Sequence, residues 1–434
     1  MSWDFETEPE YQAKLDWADK FVREEVEPLD LQWPGLQFTA LEGARKKAIE
    51  PLKEEVRRQG LWATHLSPEL GGQGHGQGKL ALLNEILGRA SWAPIVFGCQ
   101  APDTGNAEIL AHYGTEAQKE RYLKPLLNGE IFSCYSMTEP TAGADPTAFT
   151  TTAVRDGDEW VINGWKYFSS NAKTASFFIV MAVSNPDISP YKGMSMFLVP
   201  AGTPGVNIVR NVSLAMDAAD DGTHALMHYE NVRVPADAVL GGEGQAFAIA
   251  QTRLGGGRIH HAMRTIGQAR KAMDMMCERV LSRRTQGTLL AEKQFIQGYI
   301  ADSYAQLTQF RLFVLYTAWS IDKHNDYLKV RKDIAAVKAT MPTVLHDIAW
   351  RAVQVHGALG VTSDMPLFML MLGASVMGLA DGPTEVHKVT VAKQVLRGYK
   401  PSDDPLWPNA YLPPRIEAAH AKYAHLLEAE VGNL

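Results

Sequence analysis

The segment Tyr135-Ser136-Met137-Thr138-Glu139-Pro140-Thr141-Ala142-Gly143-Ala144-Asp145 lies where the sequence changes from one structural class to another. Residues 1–133 carry apolar side chains at helical spacing, as in residues 11–26. Residues 134–245 contain short β-branched or aromatic runs separated by turn residues, which is typical of an antiparallel β domain. Long helical patterns return over residues 246–434. The sequence therefore predicts an α+β multidomain protein, with this segment as a helix-to-strand turn.

Apolar periodicity and β-branched runs also predict the individual elements. We expect strands over residues 160–162, 177–183, 195–199, 206–209 and 228–234. We expect a helix over residues 11–26 that Pro28 and Pro34 bring to an end. The further helices are expected over residues 48–61, 79–89, 116–127, 246–282, 291–325, 326–357 and 386–397.

The composition is that of an ordinary globular protein, with 46% hydrophobic and 21% charged residues in a chain of 434. This length predicts more than one domain. The chain has 42 Lys and Arg against 49 Asp and Glu, a net charge of −7. A surface that binds nucleic acid needs an excess of basic residues, so the balance argues against a nucleic-acid partner.

Three features of the sequence bear on cellular location. Cys99, Cys134 and Cys277 are scattered and form no CxxC pair, which is typical of a reducing compartment. The acidic first ten residues lack the basic start and apolar run of a signal peptide. The longest apolar stretch, residues 365–380, contains proline and glycine and is too short to span a bilayer. We therefore expect a cytoplasmic protein with no membrane span.

The common nucleotide, metal and hydrolase motifs are absent from the sequence. It contains no GxGxxG, no phosphate-binding P-loop, no HExxH and no GxSxG. A bound nucleotide would therefore need a different kind of cradle. His260 and His261 could suggest a metal site, but adjacent helical side chains point about 100° apart. The sequence predicts no metal site.

Two segments could bind a flat polar ring. The turn at residues 135–145 exposes backbone N–H groups that could hold a ring or an anion, although it could equally be a structural loop capped by Asp145. The segment Ile162-Asn163-Gly164-Trp165-Lys166-Tyr167-Phe168-Ser169-Ser170-Asn171 predicts a hairpin that leads into a strand. Phe168 and Ser170 are two residues apart and would lie on one side of that strand, where they could stack on a ring and bond its edge.

Seven segments, in order along the chain, resemble markers of the acyl-CoA dehydrogenase family. They are residues 60–72, Tyr113-Gly114-Thr115-Glu116-Ala117-Gln118-Lys119, Met137-Thr138-Glu139-Pro140, Ile162-Asn163-Gly164, Val232-Arg233-Val234-Pro235, Arg283-Arg284-Thr285-Gln286-Gly287 and Gln354-Val355-His356-Gly357-Ala358. The resemblance runs from about residue 17 to residue 398. It implies the acyl-CoA dehydrogenase fold, with an N-terminal helical domain (1–133), a middle antiparallel β domain (134–245) and a C-terminal four-helix bundle (246–434).

Within the family, the runs Ala380-Asp381-Gly382-Pro383 and Gly257-Arg258-Ile259-His260-His261 are similar to one subgroup. This subgroup contains mammalian acyl-CoA dehydrogenase family members 10 and 11. Their additional kinase-like region is not found in these 434 residues. Members favour long, branched or hydroxylated acyl chains, so the resemblance does not define the acyl group of the substrate.

The resemblance also implies an FAD site. The turn would hold the pyrimidine side of the flavin through Tyr135, Met137, Thr138, Gly143 and Ala144. Phe168 would pack on the isoalloxazine in place of the usual tryptophan, and Ser170 would bond near N5. The pyrophosphate and adenine would be held by Arg283 and Gln294, and by Gln354, Val355, Gly357 and Ala358 of a neighbouring subunit. Thr384 and Glu385 of a late helix would also contact FAD. A shared site implies a homo-oligomer, either a dimer or a dimer of dimers.

Two of these residues could instead have a purely structural role. Phe168 could be an ordinary core residue, and Arg283 could be a solvated helix end.

The resemblance places the catalytic base at Asp381, within Leu379-Ala380-Asp381-Gly382-Pro383-Thr384-Glu385-Val386-His387. The usual base of the family is a glutamate just before a glycine, at the entry to a late helix. The base must take a weakly acidic α-proton from an acyl thioester while the β-hydride leaves to the flavin. We expect burial behind the apolar run 365–380 to raise the pKa of this carboxylate toward the working range. As an alternative, Asp381 could simply cap the helix that begins near Pro383.

Two other positions compete for the role of base. Glu385 would lie on the same helix face, where the family contacts FAD. The second base position of the family, just before the arginine that aligns with Arg258, is Gly257 here and has no carboxylate. Asp381 is the remaining candidate. Arg258 and Gly382 would bind the substrate near its thioester, although Arg258 could merely pair with a surface acid.

Three positions depart from the family pattern. Ala144 replaces a serine that commonly bonds the CoA or flavin phosphates, and Pro383 replaces a threonine that touches FAD. Leu372-Gly373 stands where many members have an Arg-Asp ion pair. The first two departures remove contacts that the family commonly makes to CoA or FAD.

The sequence thus favours an FAD-dependent acyl-CoA dehydrogenase that passes electrons to an electron-transfer flavoprotein. An alternative with the same fold is a flavin oxidase like nitroalkane oxidase, which also uses an aspartate base and takes a carbon acid without CoA. A third is a non-catalytic flavoprotein or a DNA-associated relative. Such a relative has a basic C-terminal surface, whereas residues 416–434 contain three acids against one lysine.

Overall fold

The computed structural model describes residues 7–37, 39–214, 222–403 and 410–431, so the acidic start at residues 1–6 lies outside the described residues. The chain forms two compact units, residues 1–389 and residues 390–434. All predicted site residues lie in the first unit. The second unit contains helix α14, Leu412–Val431.

The first helical stretch continues past its predicted end. Helix α1 covers Pro9–Phe21, a π-helical turn covers Val22–Val26, and α2 covers Glu27–Gln32. Pro28 lies in the first turn of α2, where its missing N–H leaves no helical hydrogen bond unmade. The expectation that Pro28 ends the helix is therefore wrong, and the chain leaves helical conformation at Trp33.

The other N-terminal helices pack around the first. They are α3 Gly43–Arg58, α4 Gly76–Leu87, α5 Ala93–Val96, α6 Asp103–Tyr113, α7 Glu116–Gln118, a π-helical turn Lys119–Leu123 and α8 Lys124–Leu127. The sequence pattern does not predict helix α6, because every residue from 103 to 111 is buried and the helix has no amphipathic period.

Among the described residues, eight strands form one sheet in the order β6-β7-β3-β2-β4-β5-β8, with β1 beside β4. The strands are β1 Ser133–Ser136, β2 Thr152–Asp156, β3 Glu159–Ser170, β4 Phe177–Val183, β5 Met194–Pro200, β6 Val206–Val212, β7 His224–Pro235 and β8 Val239–Leu240. Most neighbours are antiparallel as predicted, but β1 and β2 each pair with β4 in parallel.

Long helices form the C-terminal part. They are α9 Ala246–Ser282, α10 Gln294–His324, α11 Tyr327–His356, α12 Leu367–Leu379 and α13 Thr384–Leu396, with a hairpin of β9 Arg284–Thr285 and β10 Thr288–Leu289 after α9. Helix α12 is the apolar run 365–380, which has too few polar residues to show a helical period. No single helix in the described ranges is long and apolar enough to cross a membrane. Helices α12 and α13 reach the necessary length and apolar content only when they are taken together, and the chain bends by 53° between them.

Helix α9 connects two hydrophobic cores. Its first turns, with Ile249, pack against one face of the sheet and against α6. From Ile259 onward it packs in the bundle core with α4, α10, α11 and α12. The residues of α9 between these cores therefore lie where the sheet meets the bundle, and there the helix carries polar side chains.

Candidate active site

Asp381 lies in the short segment that joins α12 to α13. Its backbone φ is +55°, and that of Gly382 is +100°. A left-handed φ costs energy for any residue except glycine, although aspartate tolerates it better than most. The Asp381 carbonyl accepts a hydrogen bond from Arg258 Nε at 3.0 Å and lies 3.2 Å from His387 Nε2. Arg258 thus fixes the Asp381 backbone and does not merely pair with a surface acid.

The Asp381 carboxylate points at the middle of α9. Its Oδ2 atom lies 3.5 Å from His261 Nε2, and 21% of the side chain is exposed. A Cβ atom added to Gly257, one turn earlier on α9, would lie 3.2 Å from the same Oδ2. The first hydrogen bonds of α13 run from the Val386 and His387 amides to the Pro383 carbonyl. The carboxylate is therefore placed for contact with α9.

The electrostatic surroundings of this carboxylate differ from the expected apolar pocket. Burial is the largest single influence and raises the pKa of Asp381. Four basic side chains oppose it and together hold the pKa below its ordinary value: His261, Arg253, Arg258 and Lys338. The expected rise in pKa is therefore wrong, because the apolar residues of α12 pack elsewhere while basic residues of α9 and α11 face the carboxylate.

Lys338 is the basic residue that α11 contributes. It is fully buried, and its Nζ donates to the carbonyl of Met377 near the end of α12. Burial lowers the pKa of Lys338 to about 8, although the Asp381 carboxylate opposes that change. Lys338 therefore holds the end of α12 and brings a positive charge close to Asp381.

Arg253 links the Asp381 region to the turn at residues 135–145, the predicted cofactor turn. Its guanidinium lies 3.8 Å from the centre of the Tyr135 ring, and its Nε donates to Asn106 Oδ1 at 2.8 Å. The same guanidinium lowers the pKa of Asp381, and the Asp381 charge acts on Tyr135. Tyr135 and Asp381, predicted separately, are therefore close enough to share one basic neighbour.

The turn after β1 is fixed by a buried ion pair. Lys166 Nζ lies 2.9 Å from Glu139 Oε1 and 2.8 Å from the Met137 carbonyl. Glu139 also accepts hydrogen bonds from the backbone amides of Thr150 and Thr151. Both ion-pair side chains are almost fully buried, at 0% and 1% exposed. The pair holds Met137 in place.

The Thr138 carbonyl accepts from the Tyr167 amide, so the turn is also joined to β3 directly. Phe168 and Ser170 follow on that strand and flank His224 of β7. The Phe168 ring centre is 6.4 Å from that of His224, and Ser170 Oγ is 2.7 Å from His224 Nδ1.

A shift in register between Lys166 and Ser169 interrupts the strand alternation, and Phe168 has a φ of +55°. Phe168 is 46% exposed, which removes the alternative of an ordinary core residue. Phe168 and Ser170 both contact His224, so they lie close together although the alternation of side chains along the strand is interrupted.

The residues predicted to hold the pyrophosphate and adenine are mostly exposed. They are Arg283 at the end of α9, Gln294 at the start of α10, and Gln354, Gly357 and Ala358 at the end of α11. Val355 differs, because its side chain is 5% exposed and packs in the bundle core, so only its backbone could contact a ligand. Arg279 and His356 line a nearby recess of about 300 Å³.

The remaining predicted residues lie in the turn at residues 135–145 and at the start of α13, just after Asp381. Gly143 and Ala144 are exposed in the turn, where Asp145 accepts from the Thr147 amide. Thr384 Oγ1 donates to the Gly378 carbonyl at 3.2 Å, and Glu385 is exposed on α13. Within the described ranges, no group of three or more His, Cys, Asp or Glu side chains could hold a metal ion.

Comparison with known proteins assigns all three parts of the chain. Residues 8–130 match the acyl-CoA dehydrogenase N-terminal domain, 134–232 the middle domain and 244–396 the C-terminal domain. A probable acyl-CoA dehydrogenase, FadE2 of Mycobacterium tuberculosis, is 42% identical over 91% of this chain and 93% of its own length. Acyl-CoA dehydrogenase family member 11 of Homo sapiens is 41% identical over 80% of this chain and 45% of its own length. The chain thus spans about half the length of that relative.

Solved structures agree with this assignment. A putative acyl-CoA dehydrogenase from Mycobacterium abscessus superposes with a TM-score of 0.84 at 36% identity, over 91% of this chain and all of that one. Butyryl-CoA dehydrogenase from Megasphaera elsdenii gives 0.78 at 26% identity, over 91% and 100%. The predicted family, subgroup and fold are confirmed, and the chain belongs to the acyl-CoA dehydrogenase family of flavoprotein oxidoreductases.

Proposed function

We propose that this protein is an FAD-dependent acyl-CoA dehydrogenase that converts an acyl-CoA thioester to the trans-2-enoyl-CoA, with Asp381 abstracting the α-proton. The observation that carries this proposal is the position of the carboxylate. It faces α9 next to Gly257 and His261, and it shares Arg253 with Tyr135 of the predicted cofactor turn.

The charges around Asp381 support a carboxylate that acts as a base. Because the basic neighbours keep its pKa low, the group is ionised at neutral pH and ready to accept a proton. A low pKa also makes it a weaker base. The basic side chains of Arg253, Arg258 and Lys338 offset this weakness, since they would stabilise the negative charge that develops on the thioester carbonyl as the α-proton leaves.

The residues on the other side of the site fit a flavin. The exposed Phe168 ring offers a flat apolar face, and the neighbouring Ser170 hydroxyl and the fixed Met137–Thr138 backbone offer hydrogen-bonding groups. The strained φ of Phe168 keeps this ring out of the core. When bound, FAD supplies the oxidant that takes up the β-hydride.

Exposed apolar residues of α10 support a homo-oligomer, with a dimer of dimers as the proposed form. Five large side chains are 37–89% exposed along this helix: Phe295, Tyr304, Leu312, Tyr316 and Trp319. A group of this size on one helix is typical of a surface that another protein covers. From the scattered cysteines we further propose a cytoplasmic enzyme. From the family we propose that it passes its electrons to an electron-transfer flavoprotein.

The test is an anaerobic titration of the flavin spectrum of the purified protein with butyryl-, octanoyl- and palmitoyl-CoA, alongside branched and hydroxylated acyl-CoA thioesters. We expect at least one thioester to bleach the flavin, and the product to be the 2-enoyl-CoA. A parallel measurement follows oxygen uptake with nitroethane. Oxygen uptake with nitroethane and no bleaching by any thioester would replace this proposal with an oxidase of the same fold.

A further inference from the structure

The two adjacent histidines of α9 have different surroundings. His260 is buried, and its Nε2 lies 3.2 Å from Gln77 Oε1. His261 points to the other side, where its Nε2 lies 3.5 Å from Asp381 Oδ2. They therefore cannot act as a metal pair, and only His261 contacts the proposed base.

We infer that His261 is the positioning partner of Asp381 and receives the abstracted proton from it. This inference rests on the proposed function. In each turnover the α C–H bond breaks, its proton moves to the Asp381 carboxylate, and its electron pair forms the α,β double bond. The β C–H bond breaks at the same time and loses a hydride, which FAD would take up when bound. The proton then passes from the carboxyl to Nε2 of His261. The ring releases one proton to water, and proton exchange with water restores the neutral tautomer in which Nε2 can accept again.

The backbone around Asp381 fixes the carboxylate beside His261. The Asp381 carbonyl accepts a hydrogen bond from Arg258 and lies against His387. The His261 ring lies within reach of the carboxylate and is 22% exposed, about as much as the 21% of Asp381, so it contacts both the base and the solvent. A distance of 3.5 Å is at the outer limit of a hydrogen bond, and catalytic contacts of this kind commonly shorten when substrate binds.

The charges that face His261 come from three elements. Arg253 and Arg264 lie on its own helix, Lys338 comes from α11, and Asp381 comes from the segment between α12 and α13. Burial is the largest influence and lowers the pKa of His261 to about 4; the three cations act in the same direction, whereas Asp381 opposes them. At neutral pH the resting ring is therefore uncharged and able to accept a proton.

The first test compares His261→Gln with the matched control His260→Gln, which changes the neighbouring residue in the same way. Proton discharge is needed for repeated turnover but not for the first reduction of the flavin. We expect His261→Gln to keep single-turnover bleaching within about threefold of the parent and to lose about tenfold or more in steady-state turnover. His260→Gln should change both rates equally or not at all.

Two further measurements separate a proton-transfer role from a structural one. Free imidazole should restore turnover in His261→Gly, and it should not affect His260→Gly. In ligand-free protein labelled with ¹⁵N-histidine, Asp381→Asn should lower the pKa of the His261 ring and leave His260 unchanged, because the Asp381 charge is what raises it.

Unchanged turnover in His261→Gln, or equal losses in both glutamine variants, would overturn this inference while leaving the proposed function intact. A parent enzyme that no acyl-CoA bleaches would overturn both.

Discussion

Gly257 and Asp381 share one small space: a Cβ on residue 257 would come within 3.2 Å of Asp381 Oδ2. The resemblance to the family assigns a base either to the position of Gly257 or to that of Asp381. In this protein the two positions converge on the same point, although Gly257 lies on α9 and Asp381 in the segment between α12 and α13. The absence of a side chain on Gly257 is therefore what leaves room for the aspartate.

Filling this space should reduce activity without loss of stability. Alanine in a helix is about 1 kcal/mol more favourable than glycine, so Gly257→Ala should melt at the parent temperature or slightly above. The added methyl group would displace the carboxylate by a few tenths of an ångström, and we expect flavin bleaching by acyl-CoA to slow by about tenfold. Gly298→Ala on α10, where nothing lies within 4 Å of the new methyl group, is the control. Equal activity of the two variants would show that the space around Asp381 is not restrictive.

The buried ion pair beneath the cofactor turn should be costly to break. Lys166→Met leaves Glu139 buried without its cation, and such a change typically costs about 3–5 kcal/mol. We expect a matching loss in the free energy of unfolding, measured in urea, together with a reduced FAD content. Arg233→Met removes the exposed ion pairs to Asp156 and Glu159 and should change neither quantity measurably. A stable, FAD-replete Lys166→Met protein would contradict this role for the pair.

Glu108 of α6 should make the protein less stable as pH rises. Burial raises the pKa of Glu108 to about 8, against 4.5 for an ordinary glutamate, although Tyr327 and Arg253 oppose the rise. Between these values the folded chain keeps a proton that the unfolded chain has lost, so stability falls from about pH 5 to about pH 8.

Glu108→Gln cannot ionise, and we expect it to reduce this fall by about 1–3 kcal/mol, as measured by urea unfolding at both pH values. Glu116→Gln, at a side chain that is 93% exposed, should leave the pH dependence as in the parent. A parent and a Glu108→Gln variant with the same pH dependence would show that Glu108 is ionised in the folded protein.

Phe168 should contribute to cofactor binding rather than to folding. Its ring is 46% exposed, so Phe168→Ala removes little buried surface and should leave the melting temperature nearly unchanged. Loss of one aromatic contact should weaken FAD binding by about tenfold, which fluorescence titration of the apoprotein would measure. Trp165→Ala removes a similarly exposed ring on β3, stacked on His228 at 4.2 Å, and serves as the control. Equal FAD affinity in both variants would place the flavin elsewhere.

Much of the fold follows from local patterns. Helix α9 has the predicted bounds, Ala246–Ser282, because its apolar positions alternate with polar ones at a helical period. Strand β4 likewise covers Phe177–Val183, a continuous β-branched and aromatic run. Helices α6 and α12 show no helical period in the sequence, because residues 103–111 of α6 are all buried and α12 has too few polar residues.

The residues around the base are harder to infer from sequence. Arg253, Gly257 and His261 are four residues apart and so lie on one face of α9, a signal that the sequence contains. Their convergence on Asp381 depends on a contact between residues more than a hundred positions apart, which spacing alone cannot show. Lys338 comes from a third element, and His261, Arg253, Arg258 and Lys338 together reverse the direction of the pKa shift that the apolar run predicts for Asp381.

The most direct measurement compares Asp381→Asn with the parent by anaerobic stopped-flow, after the titration has identified a bleaching acyl-CoA. The asparagine keeps the size of the side chain and cannot accept the α-proton. We predict normal FAD content and bleaching that is slower by about 10²–10⁴-fold. The melting temperature should be slightly below that of the parent, because the basic neighbours lose a stabilising negative charge. Bleaching of the variant at the parent rate would show that another group takes the proton.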